Sequence, residues 1–221
     1  MTDTFDKEYW ETHWEDAADR AYDRGLLPNP YLAREVGDLE PGSALDAGCG
    51  EGVEAIWLAA TGWRVTAADI SAAALDRARR RAGHGVRAGE IDWVEADLSV
   101  WEPDRRFDLV MTHYAHPAIG QLAFYERIAE WVAPGGTLLI VGHLHTHDHN
   151  VDHDHGVADH HRDGDRRPPE RVQVTAASVT HLLDADAWDV ITADEVTRTL
   201  RGGSGRTVEL RDVVVRATRR A

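Results

Sequence analysis

From residue 43 onward, short apolar runs alternate with stretches whose apolar positions recur every three or four residues. The apolar runs have the length of buried strands and comprise Ser43 to Ala47, Trp63 to Ile70, Ile91 to Leu98, Phe107 to His113 and Thr137 to Gly142. After the first run, Val53, Ile56, Trp57 and Ala60 lie at i, i+3, i+4 and i+7, which is one face of a helix. Strands that alternate with helices predict a parallel sheet covered on both faces.

Further helices are indicated by residues that begin and end helices. Ser71 is placed to cap a helix that runs through Ala82, and a helix over 125–132 precedes the turn at 134–136. A helix around 175–184 then leads to two strand-like runs, 188–196 and 207–217. Because a glycine-rich segment joins these two runs, we predict a hairpin-like pair at the end of the chain.

The first 40 residues follow a different pattern. Apolar positions are sparse between Asp6 and Arg20, which predicts a short amphipathic helix lying on the domain. Asn29 and Pro30 then resemble an N-cap and first helical position, and Gly37 ends that helix. We therefore expect an N-terminal helical cap over 1–40 and a main domain over 41–221, with an insertion over 143–170.

Charge and cysteine content narrow the classes of partner. Acidic side chains outnumber basic ones by 39 to 24, so the formal net charge is −15. Nucleic-acid and anionic-membrane surfaces need clustered lysine and arginine, and we expect neither partner. The single cysteine, Cys49, allows no internal disulfide, and no signal peptide or membrane-spanning run is visible. We expect a soluble cytoplasmic protein whose oligomeric state the sequence leaves open.

The most informative stretch is Asp46-Ala47-Gly48-Cys49-Gly50-Glu51-Gly52, which joins a predicted strand to a predicted helix. Glycines at this junction let the backbone turn tightly and leave room for a nucleotide-like ligand at the carboxyl edge of the sheet. The spacing is Gly-x-Gly-x-Gly, so it differs from the dinucleotide fingerprint, which requires glycine where Val53 stands.

Two carboxylates end the next two predicted strands. Asp69 closes the second strand, where a carboxylate can accept both hydroxyls of a ribose. Asp97 closes the third, where a carboxylate can accept a proton from an adenine amine. Each could equally be a strand-terminal turn residue. Since consecutive strand ends converge in a doubly wound sheet, their register with the glycine loop favours one ligand pocket.

These features resemble the class I S-adenosylmethionine-dependent methyltransferases, in which Asp-x-Gly-x-Gly-x-Gly is the first cofactor loop. The resemblance covers roughly residues 40 to 143 and implies an α/β, Rossmann-like, doubly wound sheet of seven mostly parallel strands with an antiparallel last strand. It implies S-adenosylmethionine as the cofactor. The cofactor-binding residues expected in the main domain are Asp46, Gly48, Gly50, Gly52, Asp69, Ile70, Asp97 and Leu98.

Within the family, the chain is most similar to the small-molecule branch that includes tellurite-resistance and thiopurine methyltransferases. Tyr9-Trp10 on the leading helix, Pro28-Asn29-Pro30 and Arg167-Pro168-Pro169 carry this similarity. We expect methylation of a small molecule at sulfur, another chalcogen, nitrogen or oxygen. Tyr9, Trp10 and Trp14 are expected to cover the cofactor, although the same rings could simply dock the helix.

A methyl on a sulfonium is already activated, so a general base is needed only for an acceptor that is protonated at neutral pH. His113 and His116 follow the fourth strand, where the family's acceptor site lies, and are the candidate bases. His143, at the end of the fifth strand, is a further candidate. Alternatively, His113 ends a strand and His116 is a surface residue.

The segment from His143 to His161 holds eight of the 13 histidines. His145, His147 and His149 alternate with other residues, and aspartates lie nearby, so this segment could bind zinc, nickel or copper. Alternatively, it is a solvated loop with adventitious metal binding or none. We expect this loop to act as a lid over the acceptor site and assign no metal ligands. The alternative functions are a divalent-metal-binding or metal-sensing protein and a non-catalytic cofactor-binding protein of the same fold.

Overall fold

A computed structural model describes residues 5–16, 27–83, 91–144, 174–201 and 207–221. The predicted histidine-rich loop, from His145 onward, and the Gly202–Gly205 connection lie outside the described residues. The expectations for metal binding and for a lid in that loop therefore stay predictions.

Seven strands form one mixed sheet in the order β3-β2-β1-β4-β5-β7-β6. The strands are β1 (Ser43–Ala47), β2 (Arg64–Asp69), β3 (Ile91–Glu95), β4 (Phe107–His113), β5 (Val132–His143), β6 (Trp188–Arg201) and β7 (Thr207–Arg219). The pairs among β1 to β5 are parallel, whereas β7 pairs antiparallel with both β5 and β6. The predicted α/β Rossmann-like fold, with its antiparallel last strand and terminal hairpin, is confirmed.

Six helices accompany the sheet: α1 (Lys7–Asp16), α2 (Pro30–Val36), α3 (Val53–Ala60), α4 (Ala72–Ala82), α5 (Gln121–Ala129) and α6 (Ala176–Thr180). The predicted caps are present, since Asn29 accepts from the backbone N–H of Tyr31 and Ser71 from that of Ala74. Helix α6 spans five residues and is shorter than the predicted helix over 175–184, whereas the predicted end of α1 near Arg20 lies outside the described residues.

Two apolar clusters cover the two faces of the sheet. Phe124, Tyr125 and Ile128 of α5 pack on one face, whereas Leu32 of α2 and Leu58 of α3 pack on the other. These residues are almost fully buried. Burial on both faces explains why the central strands consist of nearly continuous apolar residues.

The apolar face assigned to α3 is not the buried one. Ala55, Leu58 and Ala59 face the core, while Val53 and Trp57 are only half-buried. Seven of the eight α3 residues in the run VEAIWLAA are apolar, so the spacing of apolar positions cannot select a face. The carboxyl end of β1 and the start of α3 nevertheless lie where the glycine loop requires them.

The turn at Pro134-Gly135-Gly136 lies within β5 instead of before it. Phe107 pairs with Val132 and Leu109 pairs with Thr137, so the register of β4 against β5 shifts across this turn. A side chain on Gly136 would approach the carbonyl oxygens of Asp108 and Phe107 to 3.0 Å, which explains glycine there. The strand therefore begins earlier than predicted and contains a bulge.

Candidate active site

A cavity of about 520 Å³ opens at the carboxyl ends of the strands, where a doubly wound sheet binds its ligands. It is lined by the glycine loop after β1, the ends of β2 and β3, the segment after β4, and three aromatic side chains from the N-terminal segment. The sites predicted on separate strand ends therefore meet in one cavity.

The glycine loop is held in a conformation that L-residues rarely adopt. Gly48, Gly50 and Gly52 have φ of 82°, 50° and 72°, respectively. A Cβ on Gly48 would overlap the side chain of Ala115, and one on Gly52 would lie 2.5 Å from the ring of Trp93. Gly48 and Gly50 line the cavity, whereas Gly52 permits close packing behind it.

Asp69 ties the end of β2 to this loop. Its Oδ2 accepts from the backbone N–H of Gly50 at 2.8 Å, and its Oδ1 accepts from that of Ser71 at 2.9 Å. Each carboxylate oxygen retains a further lone pair, so Asp69 can accept from two ligand hydroxyls while keeping both backbone bonds. It is 9% exposed and borders the cavity, which is the position predicted for the ribose acid.

Further acidic groups lie under the loop. Asp46 is 1% exposed, and its Oδ2 has no hydrogen-bond partner among the described residues. Burial, followed by the charges of Glu54 and Asp69, raises the pKa of Asp46 well above its ordinary value. Burial likewise raises the pKa of Glu54 and of Asp69. The cavity wall therefore suits a cation, whose arrival would stabilise these carboxylates.

Cys49 lies among the same groups. The thiol lines the cavity and is buried. Burial and the neighbouring Asp46 and Asp69 carboxyls raise its pKa well above the ordinary value, so it remains protonated at neutral pH.

We predict that Asp46→Asn stabilises the ligand-free protein by about 1 to 2 kcal/mol at pH 7.5. The folded-state pKa of Asp46 is raised, so its ionisation costs stability as pH rises above the ordinary value of 3.8, and asparagine removes that cost. Denaturant unfolding at pH 7.5 and near pH 4 should show the gain shrinking at the lower pH. Asp104→Asn, at an exposed loop position, is the control. Equal stability of Asp46→Asn and wild type at pH 7.5 would contradict this account.

The end of β3 supplies the far side of the cavity. Asp97, Leu98 and Ile70 all line it, as their predicted cofactor roles require. Asp97 is exposed, and its Oδ1 accepts from the backbone N–H and the hydroxyl of Ser99. The turn role weighed for Asp97 is therefore real, and it leaves Oδ2 available to a ligand.

Three aromatic residues of the N-terminal segment line the cavity, namely Phe5, Trp10 and Trp14. Tyr9 does not line it; its ring packs edge-on against those of Phe5 and Trp10. Of the predicted pair, Trp10 faces the cavity and Tyr9 supports it. Phe5 is a lining residue that the sequence analysis did not identify, since a single aromatic near a chain end carries no pattern.

The candidate bases have different surroundings. His113 and His116 line the cavity, but burial lowers the pKa of His113 to about 3. Both ring nitrogens of His113 lack a partner within the described part of the chain. His116 stacks between Phe5 and His143, at ring distances of 5.7 Å and 6.0 Å. His143 is not among the lining residues.

Tyr114 is a further lining residue that the sequence pattern did not reveal. Its φ of 55° is the one positive value at a non-glycine residue in the described ranges. Arg198 donates to its hydroxyl at 3.0 Å and to the buried carboxylate of Asp212 at 2.5 Å. The His143 ring lies 4.6 Å from that of Tyr114. Residues of β6 and β7 thus hold Tyr114, which lines the cavity, through contacts distant in sequence.

Residues 44–136, which contain the glycine loop and most of the cavity wall, match the family model described as "Methyltransferase domain". These residues form a methyltransferase domain, in agreement with the predicted resemblance to the class I methyltransferases. The match to a methyltransferase domain agrees with the predicted cofactor, S-adenosylmethionine. Among the described residues, no helix is long and apolar enough to cross a membrane.

Curated relatives of the chain include two plant proteins. A "Probable thiol methyltransferase 2" of Arabidopsis thaliana is 31% identical over 136 residues, which is 59% of each chain. "Thiocyanate methyltransferase 1" of Brassica oleracea is 29% identical over 71% of this chain and 68% of its own. The chain thus spans little more than half of the first relative.

The fold is shared with solved structures. A magnesium protoporphyrin IX methyltransferase from Synechocystis PCC 6803 with bound SAH has a TM-score of 0.65 at 20% identity. The match covers 97% of both chains. At this identity the likeness establishes the architecture, including the hairpin of β6 and β7, and leaves the substrate open.

The residues present fit S-adenosylmethionine. A Cβ on Gly48 would narrow the cavity beside Ala115, Asp69 keeps free lone pairs at its rim, and the orphaned Oδ2 of Asp46 is an unused acceptor. The sulfonium and ammonium groups of the cofactor are cations, which the acidic wall complements. In the ranges described, no cluster of three or more His, Cys, Asp or Glu could hold a metal ion.

Proposed function

We propose that the protein transfers a methyl group from S-adenosylmethionine to a small molecule, with sulfur as the acceptor atom. The observation that carries the proposal is the convergence of Asp69, the glycine loop and the segment after β4 on one aromatic-walled cavity. S-adenosylmethionine supplies a methyl group already activated by its bond to a positively charged sulfur. The protein must then hold the acceptor in line and exclude water.

Each side of the cavity has its own role in this proposal. Asp69 would hold the ribose hydroxyls, Asp97 the adenine amine, and Asp46 with Glu54 would complement the positive charges. The rings of Phe5 and Trp10 exclude water on the lid side. Binding in the micromolar range, on the order of −8 kcal/mol, is expected by calorimetry.

The charge of the wall supports a neutral or soft acceptor. Five acidic side chains line the cavity: Asp46, Glu51, Glu54, Asp69 and Asp97. Within the described residues, no lysine or arginine lines it. An acceptor with several negative charges, including nucleic acid, would meet repulsion there. A thiol can enter this cavity uncharged, so it meets less repulsion than an acceptor with several negative charges.

The properties of His113 also support sulfur over a hydroxyl acceptor. A ring whose pKa is about 3 takes up no proton near neutral pH, so His113 is poorly suited to be a general base. Of the predicted pair, only His116 then remains a candidate base, and a thiol acceptor does not require one. Thiols ionise near neutral pH without a strong base, whereas alcohols do not. The names of the thiol and thiocyanate relatives agree with this acceptor class.

We expect the rate with a thiol acceptor to follow the ionisation of that thiol. His113→Gln and His116→Gln should each change the rate while keeping the shape of the pH–rate profile, because neither ring removes the proton. Initial rates of S-adenosylhomocysteine formation between pH 5.5 and 9 test this. If His116→Gln abolishes an inflection near pH 6.5, His116 is a general base.

The function is tested by screening thiols, selenite, tellurite and small phenols for S-adenosylhomocysteine production. Turnover of thiols with no turnover of phenols supports the proposal. Tight binding of S-adenosylmethionine with no turnover of any acceptor would favour the non-catalytic alternative. Tight zinc or nickel binding with no heat from S-adenosylmethionine would favour the metal-binding alternative.

A further inference from the structure

Helix α1 contributes Trp10 and Trp14 to the cavity lining, and Phe5 just before it contributes a third ring. The helix nevertheless packs on the domain without a fully buried apolar side chain. In the range 5–15, every side chain is half-buried or exposed. By contrast, α2, α3 and α5 each bury apolar side chains almost completely. A helix with little apolar burial detaches at low free-energy cost, so its polar contacts decide how long it stays docked.

Glu11 makes three hydrogen bonds from α1 to the rest of the domain, and Lys7 adds an exposed ion pair with Glu95 of β3. The Glu11 carboxylate accepts from the Ser71 hydroxyl at 2.8 Å and from the backbone N–H groups of Ala72 and Ala73 at 2.9 and 3.1 Å. These N–H groups belong to the first turn of α4 and have no acceptor within that helix. A carboxylate at a helix N-terminus is also favoured by the helix dipole.

The acidity of Glu11 agrees with this geometry. Partial burial acts to raise its pKa, but the hydrogen bonds from Ala73, Ser71 and Ala72 outweigh it and lower the pKa below the ordinary value. Glu11 is therefore held as a carboxylate. We call Glu11 with Ser71, Ala72 and Ala73 the Glu11 latch.

The latch is connected to the cofactor site by Ser71. This residue is fully buried, and its backbone N–H donates to Oδ1 of Asp69 while its hydroxyl donates to Glu11. Asp69 in turn accepts from the backbone of Gly50. Ser71 thus connects Asp69, the proposed ribose-binding residue, with Glu11 of α1.

Two ring contacts place α1 across the cavity once the latch is made. The Trp14 ring lies over Gly50, where it would come within 3.2 Å of an added Cβ. Phe5 stacks on His116 at the opposite rim, with ring centroids 5.7 Å apart. Phe5, Trp10 and Trp14 must therefore shift for a ligand to enter or leave by this side.

We propose that the Glu11 latch holds α1 closed over bound cofactor, so that Glu11 is a positioning residue that sets the dissociation rates of S-adenosylmethionine and its product. This inference rests on the proposed function. It assigns a function to a carboxylate that touches no lining atom of the glycine loop and that lies 60 residues from its partner in sequence.

The test is Glu11→Gln, which keeps the size of the side chain and removes its charge. Glutamine directs an NH₂ group toward backbone N–H donors, so the latch loses at least one bond. Stopped-flow tryptophan fluorescence should show S-adenosylhomocysteine leaving about five- to tenfold faster than from the wild type. Hydrogen exchange should show α1 amides losing protection in the complex, while the urea midpoint for global unfolding stays unchanged.

Glu8→Gln is the matched control, because Glu8 is an exposed acid on the same helix. It should leave dissociation and exchange as in the wild type. Wild-type binding with unaltered dissociation and exchange in Glu11→Gln overturns the latch and leaves the proposed function standing. Absence of S-adenosylmethionine binding by the wild type overturns both. Equal acceleration by Glu8→Gln shows a general charge effect and also overturns the latch.

Discussion

Asp69→Ala is expected to weaken S-adenosylmethionine binding by about 30- to 1,000-fold, or about 2 to 4 kcal/mol. The substitution removes the acceptor for the ribose hydroxyls, and it also releases the backbone N–H groups of Gly50 and Ser71. The glycine loop and the start of α4 both lose a bond, so the effect exceeds that of a single ligand contact. Isothermal titration calorimetry measures it directly.

Two companion variants make the Asp69 result specific. Asp69→Asn should be nearly as harmful, because either amide orientation directs an NH₂ group at one of the two backbone N–H donors. Asp92→Ala, at an exposed position on the neighbouring strand β3, should bind as the wild type does. Binding of S-adenosylmethionine to Asp69→Ala with micromolar affinity would show that Asp69 does not hold the ribose.

Gly48→Ala is expected to destabilise the protein by about 3 kcal/mol or more and to abolish cofactor binding. Two effects add here. The φ of 82° is unfavourable for alanine, and the new Cβ would overlap the side chain of Ala115 in the segment after β4. A shift of Ala115 would displace the rest of the segment His113–His116, which lines the cavity.

Gly135→Ala separates these two effects. Gly135 is exposed and has a φ of 78°, close to that of Gly48, but a Cβ there would meet nothing within 4 Å. It should therefore cost only the backbone term, about 1 to 2 kcal/mol, and leave cofactor affinity unchanged. Urea denaturation and calorimetry on both variants provide the comparison. If both variants lose the same stability, Ala115 moves away from the new Cβ at position 48 without an energetic cost.

The part of the cavity wall formed by the glycine loop and the ends of β2 and β3 could be predicted from the sequence, because its residues lie near the ends of apolar runs. Asp46, Asp69 and Asp97 lie within two residues of the ends of β1, β2 and β3, and parallel strands bring such ends together. The glycines of the first loop added a conformational requirement that few other residues satisfy. For these residues, the local sequence pattern therefore also indicates the position in the folded protein.

The contacts that hold the segment after β4 could not be predicted in the same way. Tyr114 is held by Arg198, 84 residues away, and Asp212 accepts from Tyr31, 181 residues away. Such pairs have no spacing signal, since the fold alone decides which side chains meet. The bulge at Gly136 and the buried face of α3 were missed for a related reason, because backbone crowding and uniform apolarity leave no periodicity to interpret.

The surroundings of Cys49 have a consequence for the durability of the protein. A sulfur atom beside a methylating agent is itself a target for alkylation, but the reactive form is the thiolate. Neighbouring carboxylates and burial keep this sulfur protonated, as the raised pKa shows. A thiol held in its protonated form is therefore expected to resist methylation by the S-adenosylmethionine proposed to bind in this cavity.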